Sequence, residues 1–258
     1  MYVTTEDGVD LYYETDGGGE CVAFVGDCGF GAWQWAGQYD GLAGPYRTLT
    51  WDLRGTGRSD APDGPYDVDR LAADLDTVLA DSGARRAHIV GTGLGGMVAL
   101  RYAREYGRAA SLALFGTAPR GADVDIEALR TLHPGEGATR AQFRDASEGA
   151  FSPAFRDSAA FEQVLDWRVD EDHAEGLAAQ VAAVEEFDAG PLYELTTPAL
   201  VFHGIENPVV DADVGRTLAD DLPHGEFVAV EGRHLAHVEH ARAVTDRLAG
   251  FLDQHESE

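Results

Sequence analysis

Residues 91–96 have the spacing of a nucleophile elbow, a sharp turn from a strand into a helix that holds a reactive side chain at its tip. The turn needs small residues two positions before and two positions after the tip, and Gly91 and Gly95 meet that need. Apolar residues precede the turn, and a helix-like run follows from Met97. The tip itself is Gly93, which has no side chain. The spacing therefore indicates acyl-transfer chemistry, while the residue at the tip removes the nucleophile that this chemistry uses.

The elements around the elbow alternate between strands and helices. A β-hairpin is predicted for residues 2–5 and 9–15, with Asp7-Gly8 as its turn. Short apolar runs predict further strands at 21–25, 46–51, 88–90, 112–115, 199–202 and 227–230, and helical spacing predicts helices at 68–80 and 242–252. This alternation predicts an α/β fold, with a mostly parallel sheet covered by helices on both faces.

Strand-like apolar segments do not recur between about residues 120 and 195, where the sequence is polar and helix-prone. We interpret this stretch as a helical cap inserted in the sheet. The prediction is a core formed by residues 1–119 and 196–258, a cap formed by residues 120–195, and a small-molecule site between them.

Four motifs give the sequence a resemblance to a known family. They are the loop D-L-R-G-T-G-R-S from Asp52, the elbow G-T-G-L-G-G-M-V from Gly91, the segment F-S-P-A-F from Phe151 and the segment H-L-A-H-V-E from His234. The sequence resembles α/β-hydrolase-fold proteins, and among them the 3-oxoadipate enol-lactonases and related small esterases. The resemblance runs from about residue 12 to residue 252 and implies a catalytic triad of serine, acid and histidine in that chain order.

Two of the three implied triad positions carry altered residues. His234 occupies the histidine position, but Gly93 occupies the nucleophile position and Asn207 the acid position. Glu206 is adjacent and would replace the acid only in a reshaped loop. In a related triad, an acid-to-asparagine change costs roughly 10⁴ in rate because it favours the wrong histidine tautomer. The resemblance therefore implies little or no ester hydrolysis through this triad.

The oxyanion hole implied by the resemblance would use the backbone N–H of Leu94 and one N–H from the loop after the strand at 21–25, for which we choose Cys28. Asp27 is unusual at this place, because an ionised carboxylate beside a developing oxyanion would destabilise it. Either its side chain points away, or the site does not bind an oxyanion.

Other residues could carry chemistry near the elbow. Thr92 should point into the fold, and Cys28 would be a nucleophile only as a thiolate close to His234, whereas a small buried cysteine is the commoner outcome. His234, His237 and His240 have a spacing that can bind a transition metal, but no separate cluster of ligands accompanies them. We expect no metal and no cofactor.

The composition narrows the class of protein. The chain has 258 residues and a net charge of −27, and all of its basic residues are arginines. Such an acidic surface is typical of adaptation to high salt and disfavours nucleic-acid binding, which needs a basic stripe. The absence of long apolar runs argues against a membrane span, and together with the lack of a signal-peptide pattern it predicts a cytoplasmic protein. Cys21 and Cys28 are expected to be free.

Several functions remain open from the sequence. The first is a pseudoenzyme that binds a small, partly apolar molecule. The second is a hydrolase or lyase for an ester, a lactone or a related substrate, in which His234 or Asp27 activates a water in the space that Gly93 leaves. A third is an interaction module, such as one subunit of a homodimer. Whether Gly93 and Asn207 are natural or replace a serine and an aspartate is also open.

Overall fold

The computed structural model describes residues 1–135, 137–171 and 175–255, and within them an eight-stranded sheet forms the centre of the fold. Its strands are β1 (Tyr2–Thr4), β2 (Asp10–Asp16), β3 (Cys21–Val25), β4 (Arg47–Trp51), β5 (Ala87–Thr92), β6 (Ala109–Phe115), β7 (Ala199–Gly204) and β8 (Gly225–Val230). Their spatial order is β1-β2-β4-β3-β5-β6-β7-β8. β2 runs antiparallel to both of its neighbours, and all other pairs are parallel. The predicted α/β fold is confirmed.

The α-helices of the described residues are α1 (Ala36–Leu42), α2 (Val68–Asp81), α3 (Leu94–Tyr106), α4 (Ile126–Thr131), α5 (Arg140–Ala146), α6 (Pro153–Arg156), α7 (Ala159–Glu171), α8 (Leu177–Glu186), α9 (Ala212–Asp221), α10 (Ala236–Glu239) and α11 (Ala241–Leu252). The helices α4 to α8 all lie between β6 and β7, within the stretch 120–195 in which the sequence has no strand-like apolar segments. We call these five the inserted helices. In the described ranges, no helix is both long and apolar enough to cross a bilayer.

The apolar run of β3 is explained by burial on both faces of the sheet. Val22 and Phe24 belong to a cluster with residues of α1 and α11, whereas Ala23 and Val25 belong to the larger cluster that includes α2 and α3. Side chains alternate between the faces of a strand, so a strand covered on both sides must be apolar throughout. This double burial fixes the carboxyl end of β3, from which the loop beside the elbow begins.

Candidate active site

The elbow keeps the backbone shape that its glycine spacing predicts. Gly93 joins β5 to α3 with φ of 50° and ψ of −116°. A Cβ at Gly95 would lie 2.2 Å from the carbonyl oxygen of Val25, and a Cβ at Gly91 would lie 2.2 Å from that of Gly95. The flanking glycines are therefore required by the close approach of the backbone, whatever side chain stands at the tip.

The carboxyl group of Asp27 fills the space beside the tip of the elbow. A Cβ added at Gly93 would lie 2.1 Å from both Cγ and Oδ1 of Asp27. The place of a side chain at the tip is therefore taken by the protein's own carboxylate, and the prediction that Gly93 leaves room for a water stays a prediction. In this conformation a serine at position 93 and the Asp27 side chain exclude each other.

Asp27 also engages the backbone groups that we predicted as oxyanion donors. Its Oδ1 accepts hydrogen bonds from the N–H of Leu94 at 2.7 Å and from the N–H of Cys28 at 2.8 Å. The alternative in which the Asp27 side chain points away is wrong. The two N–H groups converge on one oxygen, and that oxygen belongs to the protein.

His234 connects this carboxylate to the loop after β7. Its Nε2 lies 2.6 Å from Oδ2 of Asp27, and both side chains are 1% exposed. On the other side of the ring, its Nδ1 lies 3.1 Å from Oδ1 of Asn207. The three residues thus form a continuous buried chain of hydrogen bonds that begins in the oxyanion hole.

The amide of Asn207 presents its oxygen to the histidine. The same Oδ1 accepts hydrogen bonds from the N–H of Val209 at 2.9 Å and from the N–H of Val210 at 3.3 Å. Two fixed backbone donors orient the amide, so Nδ1 of His234 donates to it and the expected harm from a wrong tautomer does not follow. Glu206 lies in solvent, with its side chain 61% exposed, and faces Arg233 rather than His234.

The charges of the site follow from these contacts. Burial raises the pKa of the Asp27 carboxyl, but hydrogen bonds from His234, Leu94 and Cys28 and the charge of His234 outweigh it, so the net pKa lies below its usual value. Asp27 is therefore ionised, and its carboxylate lies against Nε2 of His234. Burial, and next the charge of Asp27, raise the pKa of the Cys28 thiol well above its usual value. A neutral, buried thiol does not support Cys28 as a nucleophile.

The segment at Phe151 supports the histidine loop from behind. The N–H of Leu235 donates to the carbonyl of Ala150 at 3.0 Å, and the Glu239 carboxylate accepts from the N–H of Ser152 at 3.0 Å and from its hydroxyl. This segment runs into α6, whose N-cap is Ser152, and belongs to the stretch inserted between β6 and β7. The motif at Phe151 and the motif at His234 are therefore in contact, and together they hold His234 in place.

Three residues that sequence reasoning missed support the loop of Asp27. Gln34 accepts from the N–H of Asp27 at 3.4 Å, and Gln180 of α8 accepts from the N–H of Gly29 at 2.8 Å while donating to the carbonyl of Arg54. His133, which follows α4, lies against Gly29, and burial lowers its pKa to about 3. The one signal in the sequence is that Gln180 interrupts an apolar helical run.

A small apolar crevice adjoins the Asp27–His234 pair. Its volume open to the centre of a water molecule is about 10 Å³, which is close to the minimum that holds one water. The walls combine residues of the sheet side, such as Met97, with Val124, Leu129 and Val184 from the stretch between β6 and β7. A larger molecule could enter only if these side chains moved.

The remaining candidates lie apart from this chain of hydrogen bonds. Thr92 is buried, and its hydroxyl finds no partner in the described part of the chain. His237 packs against Trp35 with ring centroids 4.7 Å apart, and burial lowers its pKa to about 3. Within residues 1–135, 137–171 and 175–255, no group of three or more His, Cys, Asp or Glu is arranged to hold a metal. Cys21 and Cys28 are free and buried, as predicted.

Comparisons with known proteins agree with the fold. Residues 24–247 match the model of the alpha/beta hydrolase family. The chain is 26% identical to 3-oxoadipate enol-lactonase 2 of Acinetobacter baylyi over 256 residues, covering 96% of this chain and 95% of that protein. It is 32% identical to a 2-hydroxy-6-oxononadienedioate/2-hydroxy-6-oxononatrienedioate hydrolase of Paraburkholderia phymatum, with 96% and 93% covered. The crystal structure of the enol-lactonase from Burkholderia xenovorans superposes with a TM-score of 0.86 at 25% identity, covering 98% of this chain and all of that one.

Proposed function

This chain belongs to the alpha/beta hydrolase family, but we propose that it does not hydrolyse esters through an elbow nucleophile. The observation that carries this proposal is the position of the Asp27 carboxylate. It fills both the space of a side chain at Gly93 and the oxyanion hole. An ester carbonyl would find neither a nucleophile at the tip nor free N–H donors.

The first candidate function is that the chain is a pseudoenzyme that binds a small, largely apolar molecule. The crevice beside Asp27 and His234 supports this form, since its walls are mainly aliphatic. The ligand would contact Met97 and Val184 and would enter between the sheet and the inserted helices. A site with one buried carboxylate–imidazole pair and apolar walls favours a ligand with few polar groups.

A second candidate is an enzyme in which Asp27 and His234 are the reactive pair. The distance of 2.6 Å between Nε2 and Oδ2 and the oriented amide of Asn207 favour it. These contacts hold a carboxylate and an imidazole in one fixed geometry, which general acid–base or nucleophilic chemistry requires. Such an enzyme would be a hydrolase or a lyase acting on a small ester, lactone or related molecule.

The test is hydrolysis of short p-nitrophenyl esters and an enol-lactone in molar salt. The chain should show no turnover that depends on His234, so the His234→Ala variant should match it. Steady turnover that is abolished by His234→Ala would overturn the pseudoenzyme. If Asp27→Asn abolishes that turnover as well, the result selects the second candidate.

A further inference from the structure

We propose that helix α8 couples the width of the apolar crevice to the position of the Asp27 carboxylate, with Gln180 as the positioning residue. A ligand that widens the crevice therefore also loosens Asp27 from the N–H of Leu94. The inference deepens the first candidate function and rests on it in one respect, namely that a small apolar molecule binds in the crevice. The coupling follows from contacts at the start, the middle and the end of α8.

One face of α8 contacts both the crevice and the loop that carries Asp27. Val184 lines the crevice, and Gln180, which is 0% exposed, lies four positions earlier. Residues four positions apart lie on the same side of a helix. Oε1 of Gln180 accepts from the N–H of Gly29 at 2.8 Å, two residues after Asp27. One wall of the crevice and one support of the Asp27 loop therefore belong to a single helix.

Gly29 is the point at which the Asp27 loop touches the inserted helices. Its φ of 63° lies in the left-handed region, and a Cβ added there would lie 3.1 Å from a methyl carbon of Leu177 in α8 and 2.9 Å from Cε1 of His133. Helix and loop are thus packed without a gap. A displacement of α8 acts directly on the loop through the hydrogen bond from Gly29 to Gln180.

Glycines at both ends of α8 bring its backbone against other parts of the chain. A Cβ at Gly176, the N-cap of the helix, would lie 2.4 Å from Cα of Gly55, and the N–H of Gly176 donates to the carbonyl of Gly55 at 3.1 Å. Near the other end, a Cβ at Gly121 would lie 2.1 Å from the carbonyl oxygen of Val184. These close approaches hold α8 at a fixed distance from the sheet.

The amide nitrogen of Gln180 binds a second loop, which follows β4. It donates to the carbonyl of Arg54 and to the hydroxyl of Thr56, each at 2.8 Å. Loss of a buried hydrogen-bond partner costs the desolvation of the group that is left behind. When α8 moves, Gln180 therefore either breaks its bond to Gly29 or takes the Asp27 loop with it.

The Asp27 carboxylate responds to such a movement because its two donors lie on different elements. Cys28 is in the same loop, whereas Leu94 is in the first turn of α3. A shift of the loop relative to α3 lengthens the bond from Leu94. The crevice has only about 10 Å³ open to the centre of a water molecule, so a larger ligand displaces Val184 and with it α8. By linkage, the bond from Leu94 and the ligand weaken each other.

The first arm of the test uses Gln180→Met, which removes the three hydrogen bonds and nearly keeps the volume of the side chain. In ¹H–¹⁵N spectra without any ligand, the amide proton of Leu94 should move upfield, and its exchange with solvent should become faster by about fivefold or more. The matched control is Thr56→Val, which removes one partner of Gln180 without touching Gly29 and should leave the Leu94 signal in place. An unchanged Leu94 signal in Gln180→Met, or equal changes in both variants, would overturn the inference.

The second arm uses the unmodified chain with xenon, an apolar probe that is larger than a water. Methyl signals of Val184 and Met97 report binding in the crevice, and the Leu94 amide signal should change in proportion to them. In Gln180→Met, xenon should bind about fivefold more tightly and shift the Leu94 signal less, since the helix no longer pulls on the loop. Xenon bound in the crevice of the unmodified chain without a change at Leu94 contradicts the coupling.

Failure of the inference and failure of the proposed function give different results. If xenon binds in the crevice of neither chain, the binding of a small apolar molecule is overturned. The comparison of Gln180→Met with Thr56→Val needs no ligand, so it still decides whether Gln180 positions Asp27.

Discussion

The loop after β3 and the loop after β7 approach His234 from opposite sides and differ in charge. The first places the ionised carboxylate of Asp27 at Nε2, and the second places the neutral amide of Asn207 at Nδ1. A serine triad has the reverse arrangement, with the acid at Nδ1 and a neutral hydroxyl at Nε2. In both arrangements one carboxylate faces the buried imidazole, but the chemistry depends on which ring nitrogen it faces.

The largest effect should come from reversing that arrangement. The variant Asp27→Ala/Gly93→Ser/Asn207→Asp clears the oxyanion hole, supplies a nucleophile and moves the acid behind His234. We expect its kcat/KM for p-nitrophenyl acetate to exceed that of the unmodified chain by roughly 10³ or more. The control is Gly93→Ser/Asn207→Asp, which retains the Asp27 carboxylate and should stay inactive. Equal activity of both variants would break the comparison.

Removal of the charged side of the pair should cost stability. Asp27→Ala leaves the N–H groups of Leu94 and Cys28 without their acceptor and His234 without its anion, so we expect a loss of about 3 kcal/mol in the free energy of unfolding. Urea denaturation in high salt measures it. Glu206→Ala, which removes an exposed carboxylate near Asn207, is the control and should change stability by less than about 0.5 kcal/mol. Similar effects of the two substitutions would show that Asp27 is not paired.

Exchanging the two sides gives a double-mutant cycle. Asp27→Asn leaves no carboxylate beside His234, and Asn207→Asp leaves two, so both single variants should be destabilised. The double variant Asp27→Asn/Asn207→Asp again has one carboxylate, and we expect a coupling energy of about 1–2 kcal/mol that favours it. Additive effects would mean that the residues at positions 27 and 207 do not interact through His234.

His237 offers a contrast with His234, because it is buried without an acidic partner among its described hydrogen bonds. Burial lowers its pKa from 6.5 to about 3, so the unfolded chain binds a proton between these values and the folded chain does not. The chain should therefore lose stability as the pH falls below 6.5, with a contribution from His237 of about 1.4 kcal/mol per pH unit. Unfolding of the chain and of His237→Phe at pH 5 to 8 measures this, and the variant should show the weaker dependence. Identical slopes would contradict the burial of an unpaired imidazole.

The smallest effect should be that of salt on the buried pair. The net charge of −27 predicts a melting temperature that rises with salt, since salt screens the surface repulsion. The difference in stability between the unmodified chain and Asp27→Ala should change by less than about 0.5 kcal/mol between 0.2 and 2 M salt, because a buried pair is little screened. A strong salt dependence of that difference would place Asp27 in contact with solvent.

The fold and the backbone shape of the elbow could be predicted from the sequence. Alternation of apolar segments predicts the sheet because strands such as β3 are buried on both faces, and Gly91 and Gly95 stand where the backbone approaches too closely for a Cβ. These are local requirements, and they leave a pattern in the chain. The elbow persists without a nucleophile because its glycines serve packing.

The direction of the Asp27 side chain could not be predicted from the sequence. It depends on a loop that is held by Gln34 and by Gln180, and Gln180 lies 153 positions after Asp27 in the chain. The Asn207 amide is oriented locally by the N–H groups of Val209 and Val210, two and three residues later, but its contact with Nδ1 of His234 joins residues 27 positions apart. Contacts of this kind are set by tertiary structure, so a pattern of residue types contains no signal for them.

The most direct test of the account is an atomic-resolution crystal structure of the unmodified chain at neutral pH. We expect Oδ1 of Asp27 to lie about 2.7 Å from the backbone nitrogen of Leu94 and 2.8 Å from that of Cys28, with Oδ2 about 2.6 Å from Nε2 of His234. The two carbon–oxygen bonds of the carboxylate should be nearly equal in length, as in an ionised group. A structure in which Asp27 turns away and a water occupies the two N–H groups would contradict the account.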